Sequence, residues 1–191
     1  MKEKKIFFMN LMASPGAGKT TTLVRTINSL KDKYRIGVIE ANVDSTVDAQ
    51  AIHETGVKVI QVHNGGSCHM DAGTTRKGLF STDLDGIKLA FLENVGNLIC
   101  PAEFDTGAHV NMMILSVPEG DDKPLKYPLM FRESQVLVIT KMDALPYFTF
   151  DLEKCRKRAQ TLNPNIKIFP VSAKTGEGME VLENWLGSLI I

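Results

Sequence analysis

The chain has 191 residues, a length that suits one compact domain with a substantial core and leaves little room for a second. Hydrophobic residues make up 43% and charged residues 23%, and 22 basic side chains balance 22 acidic ones. That neutrality argues against a polybasic nucleic-acid or membrane partner, so no nucleic acid and no membrane are expected as partners.

No apolar run approaches the roughly 20 residues needed to span a bilayer. Met1-Lys-Glu-Lys-Lys5 leads straight into a strand-like run without the apolar core and cleavage site of a secretory signal. A cytoplasmic location is therefore expected. Three cysteines (Cys68, Cys100, Cys155) are an odd number, which argues against a disulfide framework and points to metal binding or thiol chemistry.

In chain order, residues 6–13 form an apolar run and residues 18–30 read as a helix, with Leu23, Val24, Ile27 and Leu30 on one side. Residues 35–41 and 57–62 are further strand-like runs, separated by a helical stretch near 45–55. A helix is expected within 70–79, a strand over 87–93, then strands at 112–117, 135–140 and 167–171. The last helices fall at 150–161 and 179–189. Short apolar runs alternating with helical patterns predict an α/β fold, three-layered, with a mostly parallel sheet flanked by helices. The whole of 1–191 reads as one such domain, with ligands at the carboxyl ends of the strands.

Ala13-Ser-Pro-Gly-Ala-Gly-Lys-Thr20 lies between the first strand and the first helix, the context a phosphate loop requires. Pro15, Gly16, Ala17 and Gly18 would wrap the phosphates. The N–H groups around Lys19, Thr20 and Thr21 would meet their charge at the helix N-terminus. Lys19 would reach the β- and γ-phosphates and Thr20 would place its hydroxyl on Mg²⁺. Ala13 stands where a first glycine is usual, a modest departure at the strand end.

Thr140-Lys-Met-Asp143 and Ser172-Ala-Lys174 each end a late strand. Either alone is weak. Both in order, behind a phosphate loop, match the guanine-recognition pair of P-loop GTPases. Asp143 would accept hydrogen bonds from the base edge, Lys141 would pack along the ring, and the Ser172-Ala173-Lys174 backbone would meet the guanine carbonyl. Thr140 replaces the commoner Asn and keeps a hydroxyl able to brace the loop. Glu93, in Phe91-Leu-Glu-Asn-Val-Gly96, is placed to support Mg²⁺, and Gly96 to give a switch loop freedom near a γ-phosphate.

Cys68 and His69 follow the third strand, and Cys100 lies beyond the Glu93 strand end. Adjacent strand ends would bring them together. Thiolate and imidazole suit nickel or zinc, and a symmetric dimer would complete a four-ligand site. Cys155, Met112 and Met113 read as packing residues.

Gly66-Ser-Cys-His-Met-Asp-Ala72, Glu93-Asn-Val-Gly-Asn-Leu-Ile-Cys-Pro-Ala102, Phe104-Asp105, Glu119-Gly-Asp-Asp-Lys-Pro-Leu-Lys-Tyr-Pro128 and Val171-Ser-Ala-Lys-Thr-Gly-Glu-Gly-Met179 resemble the HypB family. These are SIMIBI-class P-loop GTPases that help insert nickel into [NiFe]-hydrogenase. The resemblance implies metal ligation by Cys68, His69 and Cys100 at a nucleotide-promoted homodimer interface. It also implies slow GTP hydrolysis to GDP, a HypA-like metallochaperone partner and the hydrogenase large-subunit maturation complex.

In that family the second strand usually ends Glu-Gly-Asp; here it ends Glu40-Ala41-Asn42. Asn42 is therefore expected beside Lys19, Glu93 and Gly96 in the catalytic group, with weaker charge compensation. Asp44 or Asp48 are candidates to compensate. Gly66 replaces a common Lys, and His63 reads as a strand-end polar residue. Three alternatives are a P-loop kinase (disfavoured by scattered arginines), a GTP-sensing scaffold with little hydrolysis, and the same machine serving urease or carbon monoxide dehydrogenase.

Overall fold

The computed structural model of the chain describes residues 6–42, 47–63, 66–80 and 85–190, with the side chains of residues 42, 63, 79 and 80 outside that description. Seven strands form one sheet: β1 (Phe7–Ala13), β2 (Ile36–Asn42), β3 (Lys58–His63), β4 (Leu89–Glu93), β5 (Val110–Ser116), β6 (Val136–Thr140) and β7 (Lys167–Pro170). Their order is β3-β2-β4-β1-β5-β6-β7, and every pairing is parallel. The sheet is thus wholly, rather than mostly, parallel among the described residues.

Burial on both faces explains the continuous apolar runs. In β1, Met9 and Leu11 join one core while Phe8 and Met12 serve cores on the opposite face. Helices α1 (Lys19–Leu30), α2 (Val47–His53) and α8 (Met179–Ser188) cover the first face, through Leu23, Ile27, Ile52, Met179, Leu182 and Leu186. On the other face lie α3 (Ala72–Phe80), α6 (Pro128–Glu133) and α7 (Leu152–Leu162). Gly78 of α3 sits against Val62 and Ile39, where a Cβ would fall 2.8 Å from Val62. Met130, Phe131, Cys155 and Ala159 pack the α6–α7 side. Met112 and Met113 are core, as their positions in a strand predict.

All seven strands and the five longer helices fall where periodicity places them. The short helices α4 (Cys100–Glu103) and α5 (Lys123–Lys126), with α6 and the 3₁₀ turns Val117–Glu119 and Met142–Tyr147, do not follow from periodicity. Segments of three to six residues hold too few turns to show a 3.6-residue repeat. Asp151 caps α7 by accepting from the Lys154 amide at 2.9 Å. No described helix is long and apolar enough to cross a membrane.

Candidate nucleotide and metal site

The loop between β1 and α1 opens into a cavity of about 500 Å³, lined by Ser14, Pro15, Gly16, Gly18, Lys19, Thr20, Thr21, Asp48, Val95, Gly96 and Lys141. Gly18 occupies the N-cap of α1 with φ 88°, a left-handed conformation that disfavours any residue with a Cβ. No described side chain caps this helix. Its first N–H groups therefore face the cavity as an anion site.

Glu93 ends β4 behind Lys19 and Thr20, which line the cavity, and is 1% exposed. Lys19 Nζ donates to Glu93 Oε1 at 2.7 Å, and the Thr20 hydroxyl donates to the same oxygen at 2.5 Å. Glu93 Oε2 is buried without a hydrogen-bond partner among the described residues. The Thr20 hydroxyl and an underused carboxylate form a hard oxygen donor set of the kind Mg²⁺ takes, so these residues fit that ion. Gly96 packs on the loop itself, since a Cβ there would lie 3.1 Å from Pro15 Cγ and 3.2 Å from Pro15 N. Close approach, with no positive φ, is what requires glycine at Gly96.

Glu40, paired in register with Glu93 across β2 and β4, is also buried. Burial first, then the neighbouring Glu93 charge, push its carboxyl from the ordinary 4.5 up to about 7. Asp48 stands in the first turn of α2 and lines the cavity. Asn42 ends β2; its side chain and Asp44 lie outside the described residues.

The loop after β6 is tied to the glycine-rich loop before α1, and the loop after β7 to α1. The Thr140 hydroxyl donates to the Ala17 carbonyl at 2.6 Å, so threonine provides the brace expected of it. Lys141 is the single described non-glycine residue with positive φ (59°), and its Nζ donates to the Gly16 carbonyl at 2.7 Å. Asp143 accepts from the Ser172 hydroxyl at 2.6 Å, with Lys174 Nζ 4.0 Å away. Arg25 of α1 donates to the Ala173 carbonyl at 3.3 Å.

Sequence reasoning left two positioning residues without a role. Glu119 accepts from the Ser14 hydroxyl through Oε1, while its Oε2 accepts from Ser116 N at 2.7 Å and Ser116 Oγ at 2.8 Å. Ser116-Val-Pro-Glu119 is a capping box, and that four-residue pattern was the signal available. Asn94 is fully buried and accepts from the amides of Met70 (3.2 Å) and Val95 (2.9 Å) while donating to Asn10 Oδ1 (3.0 Å). A single Asn beside a strand carried no such signal.

Cys68, His69 and Cys100 converge. Cys68 Sγ lies 2.7 Å from Cys100 Sγ and 3.8 Å from His69 Nδ1, and the His69 ring stacks on Phe104 with centroids 3.6 Å apart. The hydrogen bond to Cys100, followed by burial, raises the Cys68 thiol above its ordinary value. The expected cause of this convergence needs correction: β3 and β4 are not neighbours, because β2 lies between them. The loops after β3 and β4 instead meet beyond the carboxyl ends of the strands, past β2, joined by the Asn94–Met70 bond. Among the described residues no three His, Cys, Asp or Glu side chains are arranged to hold a metal within one copy.

A wholly parallel sheet carrying a glycine-rich loop at a helix N-terminus, with Lys, Thr and an acidic strand end behind it, defines a P-loop nucleoside-triphosphate-binding protein. The chain belongs to the CobW/HypB/UreG nucleotide-binding family, whose model matches residues 8–170. It is 46% identical to the hydrogenase maturation factor HypB of Escherichia coli (strain K12) over 183 residues, 96% of this chain and 63% of that protein. The chain thus spans under two thirds of that relative. HypB of Helicobacter pylori, solved in complex with nickel, superposes with a TM-score of 0.91 at 34% identity, covering 98% of this chain and 88% of that one. HypB of Archaeoglobus fulgidus gives the same score and identity, covering 98% and 92%.

Proposed function

We propose that this chain is a GTP-binding, slowly GTP-hydrolysing metallochaperone that assists nickel insertion into [NiFe]-hydrogenase. The observation that carries this reading is the short path from Glu93, at the nucleotide cavity, through Asn94 to the Cys68–Cys100 pair.

Lys19 is positioned to exchange its bond with Glu93 for the β- and γ-phosphate oxygens. The free N–H groups of α1 bind the remaining phosphate charge. Thr20 and Glu93 would hold Mg²⁺, which supplies charge neutralisation at the transferring phosphoryl group. Catalysis by Lys19, Asn42, Glu93 and Gly96 then consists of positioning and of excluding bulk water rather than of a single general base. Asp143 and the Ser172–Lys174 backbone select guanine, and Lys141 covers the ring.

Cys68, His69 and Cys100 bind the cargo ion, with zinc as a competing occupant. A homodimer formed under GTP or metal, which brings the same residues of a second copy alongside, completes a four-ligand site. Transfer partners are a HypA-like metallochaperone and the hydrogenase maturation complex. Support for the hydrogenase client comes from the relatives reported above.

Nickel-dependent dimerisation of Cys68→Ala and Cys100→Ala variants, followed by light scattering and metal analysis, tests this. Both variants should lose nickel binding and metal-driven dimerisation; full binding by both would overturn the assignment. Asn42 favours a second reading, a GTP-sensing scaffold with little hydrolysis. Single-turnover phosphate release separates the two: Asn42→Asp accelerates a slow GTPase and leaves an inert binder unchanged.

A further inference from the structure

Glu40 and Glu93 are register partners on the neighbouring strands β2 and β4, 3% and 1% exposed. Side chains at paired positions of a parallel sheet project from the same face, here the face covered by α1. Lys19 and Thr20 both donate to Glu93 Oε1. Glu93 Oε2 and Glu40 Oε2 are each buried with no hydrogen-bond partner among the described residues. The Gln61 side chain is a hydrogen-bonding neighbour of the Glu40 carboxylate.

Buried polar atoms are almost always paired, so two orphaned carboxylate oxygens side by side call for an explanation. Ionised together, as a bound cation would favour, two carboxylates against one ammonium leave an excess negative charge. That excess, and acceptors with no donors, match a divalent cation carrying water. The strand end two residues on is the neutral Asn42, so β2 brings its negative charge to this corner through Glu40.

We propose that Glu40 is a second anionic positioning residue of the Mg²⁺ site, acting beside Glu93 on the water shell of the ion. This rests on the reading that the α1 cavity binds a guanine nucleotide with Mg²⁺. Glu93 alone has one oxygen to spare after Lys19 and Thr20 are served; Glu40 adds another at the same depth in the sheet. The assignment differs from a packing role because a buried acid that only filled space would do so equally well as Gln.

The test is the affinity for a fluorescent GDP analogue, measured with Mg²⁺ and with EDTA, in wild type, Glu40→Gln and Glu40→Asp. The affinity gained from Mg²⁺ should fall about tenfold or more in Glu40→Gln and recover in part in Glu40→Asp. A gain in Glu40→Gln equal to that of wild type overturns the assignment, as does a Glu40→Asp variant no better than Glu40→Gln. If Glu40→Gln fails to fold, Glu40→Asp decides: a reduced gain supports the role and an unchanged gain overturns it. Failure of the nucleotide reading looks different, because wild type would then bind no guanine nucleotide under either condition.

Discussion

The side-chain oxygen of Asn94 accepts a hydrogen bond from the backbone amide of Met70, 3.2 Å away and buried. Met70 follows His69 directly and Asn94 follows Glu93, so this bond joins the loop of Cys68 and His69 to the strand end behind Lys19 and Thr20. Asn94→Ala leaves the amides of Met70 and Val95 and the Asn10 oxygen without their partner. Each loss costs about 1–3 kcal/mol in a buried setting. The variant should unfold at lower denaturant, and nickel affinity in it should depend less on the bound nucleotide. Denaturant melts and nickel titrations check both; wild-type coupling in a destabilised variant would show that Asn94 only packs.

Thr140 links the end of β6, proposed to recognise the base, to the glycine-rich loop through the Ala17 carbonyl at 2.6 Å. Thr140→Val keeps the shape and removes the donor. GDP affinity, measured by calorimetry, should fall roughly tenfold, the equivalent of one buried hydrogen bond. Unchanged affinity would remove the brace from the nucleotide site.

The three thiols differ in environment. Burial, with Asp121 adding to it, pushes Cys155 up to about 12; the Cys68 thiol is raised too, by its bond to Cys100, but Cys68 is exposed to reagent and Cys100 half-buried. Only the thiolate reacts quickly with alkylating reagents. Mass spectrometry after brief alkylation should find Cys68 and Cys100 modified, with Cys155 modified only after unfolding. Rapid labelling of Cys155 in the native state would contradict its place between α7 and the sheet.

Glu40 gives stability a pH signature. Its folded value, about 7, lies above the ordinary 4.5, chiefly because of burial. The native state therefore holds the proton more tightly than the unfolded chain. The contribution is fully present below pH 4.5 and is lost as pH rises through 7, on the order of 3 kcal/mol in total. Glu40→Gln cannot ionise, so without nucleotide or Mg²⁺ it should gain stability relative to wild type between pH 5 and 8. Urea melts across that range check it; parallel pH profiles would contradict it.

Much of this was legible in the sequence. The phosphate loop is contiguous, and a strand before it and a helix after it are enough to place Lys19 and Thr20. Thr140–Asp143 and Ser172–Lys174 are likewise short motifs at strand ends. Cys68 and Cys100 were paired correctly, but through a strand adjacency that the sheet order does not contain. What stayed hidden depends on register. Glu40 reads as one polar residue in an apolar strand until pairing sets it beside Glu93. Asn94 and Glu119 act through hydrogen bonds to residues far along the chain, Asn10 and Ser14, that no local pattern reports. The short helices of 123–133 escaped because they are too brief for periodicity to appear.

Nickel affinity in the GDP-bound protein and in the protein bound to a non-hydrolysable GTP analogue tests the link between the two sites most directly. Binding at least about fivefold tighter in the analogue-bound state is predicted, the lower end of usual coupling between sites. Equal affinity in both states would contradict it.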